Sequence, residues 1–370
     1  MRYILLLSAI IFSLFSNDKV HTFVENKVCQ SCHPLIYDEY TASQHNKSTI
    51  YKDPIHAAVW EKHPKNLKKQ QYGCGKCHTP AADNLDDMIT KGKHALPDKN
   101  NATQNEGISC AYCHRITSIE LHKKSNTNII DPKEKHYYGT LKSHMESPFH
   151  SIATSGNDQM KNGNVCIGCH SHKKNKFGLN VCSTNIANEM DGSNCVSCHM
   201  PQVEGSVSVL NPTKSHAFHG YPGSHSHASM LSQYIDLSIV RAIETFTINI
   251  DNRTTHALLL HPLRVAKLKV TVKRATKVIA LEDKTFARVI GKDGKPAMPW
   301  VADSEVQNTM IQHNEKRAVE YPFALKKGDI VEVILGYYLV HPDVLSQLGL
   351  EKDKDATEFK ILKRESFEIH

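Results

Sequence analysis

Alternating apolar and polar positions are clearest in the last third of the chain. Apolar residues occupy every second position in segments 246–250 and 268–272. A repeat of two is typical of a strand with one side on a core and the other in water. Segments 330–335 and 359–361 add two more predicted strands. The pattern therefore predicts an all-β C-terminal region.

Turn residues separate these predicted strands. An Asp-Asn pair at 251–252, Gly-Lys-Asp-Gly at 291–294 and Lys-Gly-Asp at 327–329 are compositions that favour turns. About 130 residues are enough for a separate β-sandwich. We expect a sandwich-like domain over 236–370.

The segment before residue 235 has few long apolar runs and is rich in Asn, Lys, Ser, His and Gly. Its clearest helix begins at Pro34, because proline is favoured at the first helical position. Leu35, Ile36, Tyr37 and Tyr40 supply a plausible apolar face. We expect short helices here, with the core filled by something other than side chains.

The first residues form a different pattern. Arg2 precedes an apolar run over 3–15, and small and polar residues begin at Ser16. This predicts a secretory signal over 1–16, since an ordinary membrane span needs roughly 20 residues. An uncleaved N-terminal anchor is the alternative. No later segment is apolar enough to cross a bilayer, so export to a bacterial periplasm is expected.

Five copies of Cys-x-x-Cys-His determine the candidate chemistry. This pattern attaches c-type haem: two thiols bond to the porphyrin edge and the adjoining histidine reaches the iron. The residues predicted to bind haem are Cys29, Cys32, His33, Cys74, Cys77, His78, Cys110, Cys113, His114, Cys166, Cys169, His170, Cys195, Cys198 and His199. Five covalent c-type haems follow, with those five histidines as proximal iron ligands.

The alternative chemistry for paired cysteines is a zinc site or a disulfide scaffold. Neither requires a histidine directly after every second cysteine, and ten of the eleven cysteines lie in the haem pattern. Cys182 is left over, and we interpret it as a structural or free thiol, with an intermolecular bridge or a ligand role as alternatives.

The haems also change how the net charge of the chain is interpreted. The formal net charge is +7, and loss of the signal with Arg2 leaves +6. About ten propionates, offset by about one positive charge on each ferric haem, bring the oxidised protein close to neutral. The basic composition therefore does not indicate a nucleic-acid partner.

The expected fold class is α+β and multidomain. A signal occupies 1–16, a haem-packed and mostly helical pentahaem domain 17–235, and the β-domain 236–370. Segment 204–235 joins the two domains, and no pattern predicts its secondary structure. Nineteen histidines lie outside the motifs, and at most five can be second iron ligands. If the helix from Pro34 is continuous, His45 lies about 16 Å along it from His33, so the two cannot ligate one iron.

Several segments together resemble the multihaem cytochromes c related to hydroxylamine oxidoreductase, pentahaem nitrite reductase and the tetrahaem cytochromes that accept electrons from hydroxylamine oxidation. The matching segments are 29–40 (CQSCHPLIYDEY), 43–45 (SQH), His150 before the fourth motif, 195–201 (CVSCHMP), 216–220 (HAFHG), 252–256 (NRTTH) and 261–264 (HPLR). The resemblance covers roughly 29–275. Leu258–Leu260 depart from the Pro-Thr-Gly that relatives carry there.

The resemblance implies His45, His150, His216 and His256 as distal ligands. It favours a periplasmic electron-transfer cytochrome serving a redox partner protein, either another cytochrome or a membrane quinol oxidoreductase. The alternative is an oxidoreductase acting on a small nitrogen or sulfur compound at one five-coordinate haem. Nitrite reductases of this group use Cys-x-x-Cys-Lys at the catalytic iron, whereas all five motifs here end in His. A haem-bearing sensor or adhesion module is a third class.

Overall fold

The computed structural model describes residues 22–140, 147–153, 158–184 and 194–370. The predicted signal over 1–16 lies outside them. Within the described residues, no helix is long and apolar enough to cross a membrane.

Short helices make up most of the first part of the chain, up to His114. The helices are α1 Asn26–Gln30, α2 Pro34–Ala42, α3 Gln44–Lys47, α4 Pro54–Lys62, α5 Pro64–Leu67, α6 Gly75–His78, α7 Leu85–Ile89, α8 Cys110–Cys113, α9 Asp158–Lys161, α10 Ile167–His170, α11 Cys195–His199, α12 Leu345–Leu348 and α13 Lys354–Thr357. Short 3-10 helices cover Thr103–Asn105, Asn164–Cys166, Ala228–Tyr234 and Pro342–Val344.

The helix predicted from Pro34 forms, with proline in its first turn, but it ends at Ala42. Ser43 adopts an extended conformation, and its hydroxyl accepts a hydrogen bond from the backbone N–H of Asn46, so it caps α3. His45 therefore lies on a separate short helix, and the sequence argument that assumed one continuous helix does not apply.

Short strand pairs connect the later motifs of the haem region. They are β1 Ile116–Glu120 with β2 Thr127–Ile130, β3 His136–Tyr137 with β4 Ser151–Ile152, β5 His172–Lys174 with β6 Asn180–Ser183, and β7 Gln202–Glu204 with β8 Ser215–Ala217. The joining segment 204–235 thus contains β8 and the 3-10 turn before the β-region.

The C-terminal part consists of two antiparallel sheets. Its strands are β9 Ile235–Arg241, β10 Phe246–Asn252, β11 Val265–Arg274, β12 Lys277–Ala280, β13 Lys284–Lys292, β14 Lys295–Pro296, β15 Ser304–Asn308, β16 Lys316–Tyr321, β17 Ile330–Tyr338 and β18 Lys360–Glu368. The small sheet has the order β16-β10-β9. The larger has β14-β13-β11-β17-β18, with β12 on β11 and β15 on β13. The four strands predicted from alternation lie in β10, β11, β17 and β18.

The two sheets share one apolar core. Ile248 of β10, Leu268 of β11 and Val333 of β17 are buried in it, and β11 pairs Leu268 with Leu335 of β17. Burial alternates strictly along β10, which is the physical basis of the pattern in the sequence. The β-region is therefore sandwich-like.

Contacts also join the β-region to the haem region. Helix α4 packs through Ala58 against Leu348 of α12. The Asn175 side chain donates hydrogen bonds to two backbone carbonyls of the β-region, those of Pro299 at 2.8 Å and Ala302 at 2.6 Å. The β-region is thus positioned to contribute residues to the haem region.

Candidate haem sites

Three motif histidines, His78, His170 and His199, are the last residues of short helices, His114 directly follows one, and His33 caps the start of α2. Four of the five have a fixed ring orientation. The Nδ1 of His33 donates to the carbonyl of Val207 at 2.5 Å, that of His114 to Tyr138 at 2.7 Å and that of His199 to Pro222 at 2.5 Å. The Nδ1 of His78 donates to the carbonyl of Ser48 at 3.1 Å. With the proton on Nδ1, the lone pair of Nε2 is free to bind iron.

Four motif histidines face a second histidine at a similar spacing. The ring-centre distances are 6.4 Å for His33–His150, 6.0 Å for His45–His170, 6.3 Å for His114–His219 and 6.2 Å for His199–His256. An iron with a nitrogen about 2 Å away on each side would separate the ring centres by about 6.2 Å. All four pairs fit a haem iron held between two imidazoles.

Burial favours the neutral form of His45, His170, His219 and His256, which is the form that ligation requires. It lowers the pKa of His45 to about 3 and the pKa values of His170 and His219 to about 4. Burial also lowers the pKa of His256. The neighbouring imidazoles of the cluster lower these pKa values further, because a second positive charge nearby is unfavourable.

The structure brings His45, His150 and His256 of the expected distal ligands opposite a motif histidine. His45 faces His170 and not His33, so it joins separate parts of the haem region. His256 comes from the turn after β10, so the β-region contributes to the His199 site. Tyr221 packs on His45 with ring centres 4.1 Å apart, and its φ of 49° is a strained conformation that fixes this position.

The expectation for His216 is corrected by the structure. Its side chain is fully buried, and its Nε2 donates to the Glu39 carboxylate at 2.8 Å, so this nitrogen is not available to an iron. His219, three residues later, stands opposite His114. The second carboxylate oxygen of Glu39 accepts the backbone N–H of His219 at 2.9 Å. The segment HAFHG carries both histidines, and its sequence alone does not say which one faces a haem.

The remaining motif histidine, His78 of the second motif, has different surroundings. The nearest imidazole is His56 with a ring-centre distance of 4.0 Å, too short for an iron between them. The Nδ1 atoms of both rings point to the Ser48 carbonyl, and the Nε2 of His56 bonds to the Tyr72 hydroxyl at 3.1 Å. His56 therefore flanks the proximal ligand and is not aimed at the iron position.

His225, His261 and Arg264 form a second group of interacting residues. His261 interacts electrostatically with His78, and Arg264 interacts with His170 and with Cys182. The Arg264 guanidinium donates to the Nε2 of His225 at 3.3 Å. In the sequence, segment 261–264 stood out only through the family resemblance. No spacing rule links these residues to the second motif.

The cysteines of different motifs meet in pairs. Cys29 interacts with Cys110, Cys77 with Cys169, and Cys166 with Cys195. Cys113 also interacts electrostatically with Cys166 and Cys169. Every motif therefore adjoins another, and the fourth motif adjoins the second, third and fifth.

Cys182, the cysteine outside the motifs, plays no part in these pairs. It is a free thiol on β6, and burial raises its pKa. Within the described ranges, no group of three or more His, Cys, Asp or Glu side chains is arranged to hold a metal ion.

Comparison with known proteins agrees with this geometry. Residues 28–115 match the family model "Cytochrome c554 and c-prime". The matched segment, which holds the first three motifs, is similar to this family of c-type cytochromes. Its fold is similar to that of a penta-heme cytochrome c552 from Thermochromatium tepidum, with a TM-score of 0.74 and 22% sequence identity, over 94% of this chain and 99% of that one. No curated protein matches the chain significantly.

Proposed function

We propose that this cytochrome is an exported pentahaem electron carrier. The proposal rests on four pairs of facing imidazoles, whose ring centres lie 6.0–6.4 Å apart. Haem iron held by two strong-field ligands has no face open to substrate, which suits electron transfer. The haems, when bound, would supply the redox chemistry, and the chain's own residues would fix their ligands, spacing and electrostatic surroundings.

The adjacency of the motifs supports a continuous route for electrons. Contacts run from the Cys29 motif to the Cys110 motif, then to the Cys166 and Cys195 motifs. The Cys74 motif joins this route as a branch at the Cys166 motif, through Cys77 and Cys169. We expect the two ends of the route to exchange electrons with a redox partner protein, another cytochrome or a membrane quinol oxidoreductase.

Periplasmic location belongs to the same proposal. C-type haem is attached outside the cytoplasmic membrane, and the apolar segment over 3–15 supplies an export signal.

An oxidoreductase acting at the His78 haem is the second candidate function. One observation favours it: among the described residues, no imidazole faces His78 at ligand spacing, and His261 interacts with it electrostatically. An open iron face permits small molecules to bind.

Low-temperature EPR and optical spectroscopy of the haem-loaded protein test both candidates. We expect four low-spin bis-histidine haems that do not bind CO, and a fifth haem that does. Binding of CO at two or more haems would contradict the assignment of four imidazole pairs. Five low-spin haems without CO binding would support the electron-carrier function and exclude the oxidoreductase function.

A further inference from the structure

We propose that Tyr221 is a positioning residue shared by the His114 and His170 haem sites. Its ring packs on both imidazoles that face those motif histidines, so one side chain holds the second ligand of two haems. The inference rests on the proposed function in that both sites must carry a haem. It deepens that function by naming a residue that sets how two of the haems are held.

The first argument comes from the two ring contacts of Tyr221. The ring centres of Tyr221 and His45 are 4.1 Å apart, with their planes tilted by 54°. Those of Tyr221 and His219 are 5.9 Å apart, with the planes at 75°. Aromatic rings attract each other in tilted and edge-to-face arrangements. The tyrosine ring therefore joins an imidazole from α3 to an imidazole from the segment after β8.

The second argument is that the His45 site has little else to orient its rings. The Nδ1 of His219 donates to the carbonyl of Ala217 at 2.7 Å, and four motif histidines are fixed by similar bonds. In the part of the chain that the structure describes, neither ring of the His45–His170 pair has a hydrogen-bond partner. Packing must then set the plane of the His45 imidazole, and Tyr221 is the aromatic ring closest to it.

The backbone around Tyr221 gives the third argument. Its φ of 49° lies in the left-handed region, which is costly for a residue with a side chain and persists only where surrounding contacts hold it. A Cβ on the preceding Gly220 would lie 2.3 Å from the Phe218 ring, so the chain enters this turn through a position that only glycine fits. The contacts of the Tyr221 ring are what retain a tyrosine in the strained turn.

The turn and the ring have separable roles. The carbonyl of Pro222, directly after the turn, accepts the Nδ1 proton of His199 at 2.5 Å. The turn thus serves the His199 site, whereas the ring serves the sites of His114 and His170. Glycine adopts a φ of 49° without strain but has no ring, so Tyr221→Gly should keep the first role and remove the second.

Haem-loaded wild type, Tyr221→Gly and Tyr221→Phe are compared by low-temperature EPR of the oxidised protein and by spectroelectrochemical titration. The signals of the His170, His114 and His199 haems are assigned by their loss in His45→Ala, His219→Ala and His256→Ala.

In Tyr221→Gly, we expect the low-spin signals of the His170 and His114 haems to shift, because their imidazole planes are no longer held. The reduction constants of both haems should fall at least threefold, because water that replaces the ring stabilises the more positively charged ferric state. The change should be larger for the His170 haem, whose imidazole pair has no hydrogen bond. The His199 signal should stay in place. Tyr221→Phe keeps the ring and should keep all three signals.

Tyr137→Ala is the matched control. Tyr137 packs on His150 with ring centres 5.3 Å apart, so it contacts the facing imidazole of a different site. Its replacement should shift only the signal that His150→Ala removes, and should leave the His170 and His114 signals unchanged.

Two results would overturn the proposal. One is a Tyr221→Gly protein in which neither signal or only one of them shifts. The other is a Tyr221→Phe protein in which both shift as far as in Tyr221→Gly, which would assign the effect to the hydroxyl group. If the glycine variant does not fold, Tyr221→Leu, which fills the space without an aromatic ring, should shift the same two signals and is judged in the same way. The number of low-spin haems and the CO binding of the wild type report separately on the electron-carrier function, so the two can fail independently.

Discussion

All five motif histidines share one local sequence pattern, but the surroundings of His78 differ from those of the other four. Each of the four faces an imidazole supplied by a distant part of the chain, at 6.0–6.4 Å between ring centres. The ring beside His78 belongs to His56, which is too close to ligate and is hydrogen-bonded to Ser48 and Tyr72.

Cys-x-x-Cys-His therefore specifies the ligand on one side of a haem and does not specify the ligand on the other side. The facing imidazole comes from α3 for His170, from the segment after β8 for His114, and from the turn after β10 for His199. Packing of these elements, which no motif encodes, decides which motif histidines face a second imidazole.

The largest expected effect is loss of a paired imidazole. His256→Ala should convert the His199 haem from low spin to high spin and open it to CO, because the facing ring at 6.2 Å is removed. EPR would show one fewer low-spin signal. His313→Ala is the control, since His313 lies nearby but its Nδ1 donates to the carbonyl of Thr254. Unchanged spectra in His256→Ala would refute the pairing.

His219 and His216 give an equally large contrast within one segment. His219→Ala should remove a low-spin signal, because His219 faces His114. His216→Ala should keep all low-spin signals but lower the free energy of unfolding by about 1–3 kcal/mol, because the Glu39 carboxylate loses its partner in a buried position. The reverse result would restore His216 as the distal ligand.

A smaller effect is expected at His56. Replacement His56→Gln should leave the number of low-spin haems and the CO stoichiometry unchanged, because His56 is not an iron ligand in this arrangement. It should cost about 1–3 kcal/mol of stability through the lost contacts with Ser48 and Tyr72. Thermal unfolding measures this cost, and Tyr72→Phe, which removes only one of the contacts, should cost less. Conversion of the His78 haem to a new spin state would show that His56 ligates.

The smallest effect concerns Glu39, which is hydrogen-bonded to His216 and to the backbone of His219. Glu39→Gln removes a negative charge near the His114 haem, so its midpoint potential should rise by a few tens of millivolts, corresponding to about 1 kcal/mol. Spectroelectrochemical titration checks this shift. A potential that does not move, or one that falls, would show that Glu39 exerts no electrostatic effect on that haem.

The sequence predicted the β-region well. Strict alternation in 246–250 and 268–272 requires one buried and one exposed face, and those segments form β10 and β11 in one core. It also predicted a helix from Pro34, because proline marks a first turn. It did not place the end of that helix, since the capping of α3 by Ser43 depends on where the next helix begins.

For the haem sites, the sequence by itself determined the attachment chemistry: ten cysteines and five histidines at fixed local spacing, where covalent geometry leaves little choice. Only the tertiary structure decided the second face of each iron. His219 is opposed to His114 while His216, three residues away, is bound to Glu39, and His261 carries its available proton on Nε2 because of a backbone N–H two residues on. Distal ligands are brought together by packing of segments far apart in the chain, so no local spacing can specify them.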